Sequence, residues 1–305
     1  MYTLAAGLDY LDLNFLGAPE IIATAVLHDA SGVALIDPGP STTHGNLTGA
    51  LRRKGIGTGD VRQILLTHIH LDHAGVTGTL VRENPAIEVF VHERGAPHMI
   101  DPSKLLASAG RLYGADMDRL WGDFVPVPSG RIKVLKGEEH IIAGGRELHV
   151  AYTPGHASHH VSYFDTSSRV AFVGDTAGIR RGNGSYIMPP TPPPDIDLDA
   201  WRLSEDRILA WDPDTLFLTH FGPFHGARVH FQELSARLQT WNAIVRRLLA
   251  DTSLDEERRL QAFVDEALLD LKRAVGEQQA DQYNRAGRLD YSWHGLSRYW
   301  RKKLS

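Results

Sequence analysis

Several short apolar runs in this chain lead directly into a histidine or an aspartate. The predicted strands 61–66, 147–153, 170–173 and 215–218 are followed by His68, His156, Asp175 and His220, respectively. Polar groups that follow strands collect at one edge of a layered α/β protein, where loops carry function on a rigid scaffold. This pattern therefore predicts a layered α/β fold with a functional site at the ends of its strands.

The remaining sequence fits the same architecture. Short β-rich runs alternate with stretches whose apolar residues recur every three or four positions, which is typical of helices. Further strands are predicted at 21–27, 33–36, 87–92, 131–135 and 161–164, and helices at 46–54, 74–83 and 198–210. Residues 96–128 interrupt the alternation and are predicted to be a helical insertion. Residues 182–195 hold five prolines and are predicted to be a loop beside the site.

Composition narrows the classes of function. The 305 residues carry a formal net charge of −5, which does not favour nucleic acid as a partner. Cysteine is absent, so disulfides, thiolate metal ligands and a cysteine nucleophile are excluded. No signal peptide and no apolar run of membrane-spanning length is visible. We therefore expect a cytoplasmic protein that acts on a small molecule, with no nucleic-acid or membrane partner.

The run 67–73, Thr-His-Ile-His-Leu-Asp-His, is the strongest single indication of function. It places four candidate metal ligands, His68, His70, Asp72 and His73, within six residues. Imidazole and carboxylate ligands suit zinc or iron. If the strand continues through the run, His68 and His70 lie on the same side of it. A turn after Leu71 would then bring Asp72 and His73 to the same space.

The ordered set of His-x-His-x-Asp-His, Pro-Gly-His, Gly-Asp and Thr-His resembles the metallo-β-lactamase-fold hydrolases over about residues 15–225. The resemblance implies a four-layered αβ/βα sandwich of two mixed sheets with outer helices. We expect the catalytic domain to span 1–228. A helical C-terminal extension, 229–305, would pack on it.

The resemblance also implies a ligand set for two divalent metal ions. His68, His70 and His156 would bind the first ion, and Asp72, His73 and His220 the second, with Asp175 bridging them. Asp37 matches the family's early Asp-x-Gly turn, and His160 resembles a frequent support residue rather than a ligand. We expect zinc in the first place, with iron or manganese as alternatives.

Paired metal ions suit hydrolysis, because they lower the pKa of a shared water toward neutrality. The expected reaction is attack of a metal-bridging hydroxide on the carbonyl of an ester, thioester or lactone, as in the glyoxalase II and lactonase branch. Asp72 would orient the nucleophile or carry its proton. The presence of Asp175 argues against a dedicated β-lactamase, because β-lactamases of this fold generally lack the bridging aspartate. A phosphodiesterase or nuclease of the same fold, a mono-iron persulfide dioxygenase and a purely structural metal site remain as alternatives.

Substrate recognition is harder to predict. The candidates are Tyr186 and Met188 in the loop and Phe221 beside His220, with Tyr113 and Trp121 in the insertion as further cavity residues. The C-terminal helices would either cap the domain or form a homodimer interface. The last 20 residues are expected to be a solvated basic, aromatic tail.

Overall fold

Two β-sheets form the centre of the molecule. The computed structural model describes residues 1–182 and 186–304. The first sheet has seven strands in chain order: β1 (Tyr2–Ala5), β2 (Leu8–Asp12), β3 (Ala23–Asp29), β4 (Gly32–Ile36), β5 (Val61–Leu65), β6 (Glu88–His92) and β7 (Ile132–Leu135). The second sheet has the order β13-β12-β11-β10-β9-β8, with β8 (His140–Ala143), β9 (Arg146–Tyr152), β10 (Val161–Asp165), β11 (Val170–Phe172), β12 (Thr215–Leu218) and β13 (Gly222–His225). Both sheets are mixed.

Helices connect the parallel strands, because a parallel pair cannot be joined by a tight turn. Strands β4 to β7 run parallel to one another, as do β11 and β12. The helices of the sandwich are α1 (His44–Arg52), α2 (Leu71–Ala74), α3 (Thr77–Glu83), α4 (Ala96–Ile100), α5 (Ser103–Tyr113), α6 (Met117–Leu120) and α7 (Leu198–Ala210). Four more helices follow the last strand: α8 (Ala227–Ala250), α9 (Glu256–Val275), α10 (Glu277–Ala286) and α11 (Leu289–Leu304).

Alternating side chains produce three layers of core. In β3, Ala25 and Leu27 face the space between the two sheets, whereas Val26 packs with the helices on the outer side. Successive side chains of a strand point to opposite faces, so a strand buried on both sides is apolar throughout. A third core lies between the second sheet and α7 to α11, and it includes Leu216, Trp241 and Trp293. The result is helices, sheet, sheet and helices, which confirms the predicted four-layered sandwich.

Several predicted elements were wrong in detail. Strands β1, β2, β8 and β13 were not predicted. The helix predicted at 74–83 is two helices, since α2 begins inside the histidine run and α3 begins at Thr77. The helical insertion predicted at 96–128 holds three helices, α4, α5 and α6. The expected basic tail is helix α11, which buries Trp293, Leu296 and Tyr299 while Arg298 and Arg301 stay exposed.

The division into two domains at residue 228 stays a prediction. That position lies in the first turn of α8, and α8 to α11 share one core with strands of the second sheet. Among the described residues, no helix combines the length and the apolar character that a membrane span requires.

Candidate metal centre

The histidine run leaves the sheet before its first ligand. Strand β5 ends at Leu65, so His68 and His70 lie in the following loop rather than on a strand. The run then enters helix α2, and this short helix carries Asp72 and His73. The expected continuation of the strand is therefore wrong, yet the loop and the helix still direct all four side chains to one place.

The other three candidate ligands reach the same place from the second sheet. His156 follows β9, Asp175 follows β11 and His220 follows β12. Each is almost completely buried, with 1%, 4% and 2% exposure respectively. Seven side chains from four separate segments of the sequence thus meet between the edges of the two sheets.

One cluster consists of His68, His70 and His156. Nε2 of His68 and Nε2 of His156 each lie 2.9 Å from Nδ1 of His70. All three nitrogens lie within 4.8 Å of one another, which is close enough to share one metal ion. This is the set that the resemblance assigned to the first ion.

A second cluster consists of Asp72, His73 and His220. Oδ2 of Asp72 lies 3.2 Å from Nε2 of His220 and 3.7 Å from Nε2 of His73. These three donor atoms also lie within 4.8 Å of one another. The structure thus brings together the three residues that the resemblance assigned to the second ion.

Asp175 lies between the two clusters. Its Oδ2 is 3.4 Å from Nε2 of His156, while its Oδ1 is 3.2 Å from Nε2 of His73 and 3.4 Å from Nε2 of His220. The two oxygens of a single carboxylate therefore face different clusters.

Hydrogen bonds on the far side of the rings fix the orientation of three ligand candidates. Nδ1 of His156 bonds the carbonyl of Pro190 at 2.8 Å, and Nδ1 of His220 bonds the carbonyl of Ile21 at 2.7 Å. Nδ1 of His73 bonds Oδ2 of Asp37 at 2.8 Å. Because Nδ1 is the donor in each pair, Nε2 of the neutral ring keeps a lone pair that points into the site. This is the usual arrangement of metal-binding histidines.

Asp37 and His160 support the site without belonging to either cluster. Asp37 also accepts hydrogen bonds from the backbone N–H and the hydroxyl of Thr67 and from the hydroxyl of Thr219. Nε2 of His160 accepts from the backbone N–H of Asp175 at 3.3 Å, and its Nδ1 lies 3.0 Å from the hydroxyl of Thr153. Both ring nitrogens of His160 are therefore engaged, in keeping with its expected supporting position.

Burial makes the electrostatics of the site unusual. Burial lowers the pKa of His68 well below its ordinary value, and the neighbouring His73 and His70 add to the effect. Burial also disfavours charge on His73, but Asp72, Asp175 and Asp37 outweigh it and raise its pKa well above the ordinary value. For Asp175, burial acts to raise the pKa, but the surrounding histidines outweigh it and hold the value well below the ordinary one.

Two buried ligand atoms of the site, Nε2 of His73 and Oδ1 of Asp175, have no hydrogen bond within the described part of the chain. Buried polar groups normally have a partner, so such atoms call for an explanation. A bound cation explains both, since each atom offers a lone pair toward the space between the clusters. The donor set of imidazoles and carboxylates therefore fits divalent metal ions.

A cavity of about 730 Å³ opens onto the two clusters. His70, Asp72, His156, Asp175 and His220 line one end of it. The rest of the wall comes from the segment after β2, from the insertion and from the C-terminal helices, including Phe15, Tyr113, Trp121, Leu260, Val264 and Leu289. The C-terminal helices thus cover the site, a placement that their apolar periodicity alone could not reveal.

Tyr186, Met188 and Phe221 do not line this cavity. Tyr186 and Met188 are each 1% exposed and belong to the core beneath the second sheet, where Tyr186 lies between Tyr283 and Arg237. Phe221 packs against Tyr10. The structure corrects the expectation that these three residues contact substrate, because their side chains are used for packing. Within loop 182–195, Pro190, Thr191 and Pro192 reach the cavity instead, and residues 183–185 lie outside the described residues.

His159 belongs to the site but was not predicted from the sequence. It is 8% exposed, its ring stacks 6.1 Å from that of His68, and burial lowers its pKa well below the ordinary value. The sequence contained a signal, since His156, His159 and His160 fall within five residues.

Residues 18–220 match the model of the metallo-beta-lactamase superfamily. This chain belongs to that superfamily. The membership accounts for the order of the ligand motifs along the chain and for the four-layered fold.

The chain is similar in sequence to curated proteins of this superfamily. The chain is 31% identical to the metallo-beta-lactamase fold-containing protein ST1585 of Sulfurisphaera tokodaii over 52% of this chain and 60% of that protein. It is 28% identical to a hydroxyacylglutathione hydrolase of Methylobacterium sp. (strain 4-46) over 85% of this chain and 91% of that enzyme. The match spans only 34% to 60% of the length of several curated relatives, the ST1585 protein included.

A solved structure shares the fold over nearly the whole chain. The metallo-beta-lactamase family protein TTHA1429 from Thermus thermophilus superimposes with a TM-score of 0.70 at 23% identity, covering 99% of this chain and 95% of the other. The shared fold therefore extends through α8 to α11.

Proposed function

We propose that this protein is a metal-dependent hydrolase that holds two divalent ions and cleaves an ester, thioester or lactone of a small molecule. The position of Asp175 carries the proposal, because its two oxygens face two different clusters of donors. The wider superfamily, its curated hydrolase relatives and the cavity at the clusters support it. Zinc is the first candidate for the metal, with iron or manganese as alternatives.

The residues divide into two sets of ligands. His68, His70 and His156 would hold one ion, and Asp72, His73 and His220 the other, with Asp175 touching both. Ions bound there supply Lewis-acid polarisation of a carbonyl and a lowered pKa for water. A purely structural metal site is the weaker alternative. A structural zinc site closes its coordination sphere with four protein ligands, whereas five of the seven candidate ligands here line an open cavity.

The chain's own groups then position the reaction. In hydrolysis the acyl–O or acyl–S bond breaks, a bond forms between the acyl carbon and the oxygen of water, and the proton goes to the leaving group. Asp72 lines the cavity and lies 3.2 Å from His220, so its carboxylate can orient the attacking water and carry its proton. Tyr113 lines the same cavity, and burial raises the pKa of its phenol, so the hydroxyl stays protonated and can donate to developing charge.

The test is metal stoichiometry coupled to a hydrolysis panel. The purified protein should hold two metal ions per chain, and Asp175→Asn should retain one or fewer, because the shared carboxylate loses one donor oxygen. Asp9→Asn is a matched control, since Asp9 also contacts a histidine, His28 at 2.9 Å, but lies outside the site. Removal of metal with a chelator should abolish turnover and its return should restore it.

The panel contains thioesters, lactones, a β-lactam and bis-p-nitrophenyl phosphate. Turnover of acyl substrates above that of the phosphodiester supports the proposal. Faster turnover of the phosphodiester would replace it with a phosphodiesterase. One iron per chain together with oxygen uptake would replace it with a mono-iron oxygenase.

A further inference from the structure

A second cavity adjoins the metal centre on its outer side. It has a volume of about 900 Å³ and lies between the insertion helices, the proline-rich segment after Pro192 and helix α11. His70, Tyr113 and Pro192 line both cavities. His70 is a member of the first cluster, so the metal centre lies where the two cavities meet.

This second cavity, called the outer cavity below, is lined by an excess of cations, although the net charge of the protein is −5. Five cationic side chains line it, drawn from the end of β6, from α5 and from the segment around α11: Arg94, Lys104, Arg111, Arg288 and Arg298. Arg288 is paired with Asp290 at 2.7 Å. Within the described part of the chain, the other four form no ion pair with a carboxylate, although Arg94 also lies over the ring of Tyr152.

The acidic residues of this cavity do not balance those four cations. Asp290 is used by Arg288, and Asp116 pairs with Arg119. Asp195 accepts a hydrogen bond from Ser158 at 2.6 Å. Five cations against three carboxylates leave the lining with an excess of two positive charges, and a cleft with a net charge concentrates ligands of the opposite sign. The outer cavity is therefore suited to an anion that carries more than one charge.

The cavity of about 730 Å³ that opens onto the two clusters, called the inner cavity below, has a more apolar wall. Away from the metal ligands, Phe15, Leu16, Ile21, Trp121 and Leu260 contribute apolar side chains to its wall. Arg119, Arg285 and Arg288 also line this cavity, but Arg119 pairs with Asp116 and Arg288 with Asp290. A ligand that reaches across the metal centre would thus meet a more apolar wall on one side and more unpaired cations on the other.

We propose that the substrate is an acyl thioester or ester with an apolar acyl group and a phosphate-bearing leaving group. The acyl group occupies the inner cavity, the leaving group occupies the outer cavity, and the bond to be cleaved lies at the junction beside His70. Lys104, Arg111 and Arg298 bind the phosphates, because guanidinium and ammonium groups are the usual donors to phosphate oxygens. This inference rests on the hydrolase function proposed above and names its substrate class.

The test compares thioesters that share an acyl group and differ only in the leaving thiol. Octanoyl-coenzyme A carries phosphates, S-octanoylglutathione carries carboxylates, and S-octanoyl-N-acetylcysteamine is neutral. We expect kcat/KM for the coenzyme A thioester to exceed that for the neutral thioester by about tenfold or more, mainly through a lower KM, and this advantage should shrink as salt is added.

Reversing the charge of single residues tests whether they cause the preference for the coenzyme A thioester. Lys104→Glu, Arg111→Glu and Arg298→Glu should each lower the ratio of kcat/KM between the coenzyme A and the neutral thioester by about fivefold or more. Lys54→Glu makes the same change of charge at an exposed position outside both cavities, and it should leave the ratio as in the wild type. A circular dichroism spectrum confirms that each variant is folded.

The outcomes separate the two proposals. Equal turnover of all three thioesters, without a salt effect, overturns the phosphate-bearing class and leaves the hydrolase intact. Preference for the glutathione thioester also overturns it. No turnover of any ester, thioester or lactone overturns the hydrolase and with it this inference.

Discussion

The ligand histidines are oriented by groups that never touch a metal ion. His73 depends on Asp37, which is 1% exposed and accepts four hydrogen bonds, from Thr67 twice, from His73 and from Thr219. Outer partners of this kind set both the tautomer and the direction of the ring. Substitution of such an outer partner should therefore lower the affinity for metal.

Asp37→Asn should weaken metal binding about 10- to 100-fold, in the range known for such supporting groups. An amide offers one acceptor oxygen in place of two, and its NH₂ group would oppose donors from Thr67 or His73. Competition with a chromophoric chelator measures the affinity. Asp9→Asn, which alters another Asp–His pair, should bind metal as the wild type does. Unchanged affinity in Asp37→Asn would show that His73 needs no such support.

The seven candidate ligands were predictable because each motif pairs a chemically unusual residue with the end of an apolar run. Tyr186 was not predictable in this way. Its neighbourhood in sequence suggested a loop beside Asp175, but the side chain turns into the core and meets Tyr283, almost a hundred residues later. The direction in which a loop side chain points depends on contacts with residues far away in sequence, and a local sequence pattern does not reveal those contacts.

At the scale of elements, four strands were missed, and two of them bury very little. Strand β8 has only Ala143 buried, and β1 has no buried residue, so neither shows the alternation of a half-buried strand. The break between α2 and α3 was also missed. Gly75 and Val76 separate them, and a Cβ on Gly75 would lie 3.0 Å from the Cα of Pro40, which is distant in sequence. That close approach is a tertiary fact rather than a propensity.

The interface between α7 and α8 contains a buried acid that makes stability depend on pH. Glu205 of α7 is 5% exposed, and its Oε2 accepts from the hydroxyl of Ser235 of α8 at 2.6 Å. Burial raises the pKa of Glu205 to about 7, with Asp206 adding to the effect, while Ser235 and Arg202 oppose it. The folded state therefore favours the protonated form, so stability is full below the unfolded value near 4.5 and declines as pH rises toward 7.

Glu205→Gln should remove this decline, since an amide stays neutral and can still accept from Ser235. At pH 8 we expect the variant to be more stable than the wild type by up to about 3 kcal/mol, and near pH 4 we expect no difference. Urea unfolding at each pH gives the comparison. Metal release in acid affects both proteins and cancels in the difference. Glu138→Gln, at an exposed turn, should follow the wild type throughout. A constant difference across the pH range would contradict a titrating Glu205.

At the scale of the whole molecule, the C-terminal helices join the rest of the chain in two ways. They share a core with Leu216 and Leu218 of β12, and Leu260, Val264 and Leu289 line the inner cavity. Periodicity in the sequence predicted that these segments are helical, yet it left open whether they cap the domain or form a homodimer interface. The shared core and cavity favour a structural unit that includes the metal centre.

This unit should unfold cooperatively. Trp293 of α11 is fully buried, packs 5.9 Å from the ring of Phe263 and donates from Nε1 to Glu256 at 3.0 Å. Trp293→Ala should lower the free energy of unfolding by about 3–5 kcal/mol, as expected for deletion of a buried aromatic side chain. Because the core is shared, loss of helix and release of metal should both shift to lower urea and remain coincident.

Urea unfolding followed by circular dichroism and by metal release to a chromophoric chelator checks this expectation. Leu269→Ala is the matched control, since Leu269 lies on α9 with 49% exposure and should change the midpoint little. Two separate transitions in Trp293→Ala, with metal release left at the wild-type urea concentration, would show that 229–305 unfolds as a domain of its own. Coincident transitions would mean that the C-terminal helices, which form part of the cavity wall, unfold together with the second sheet because they share one core with it.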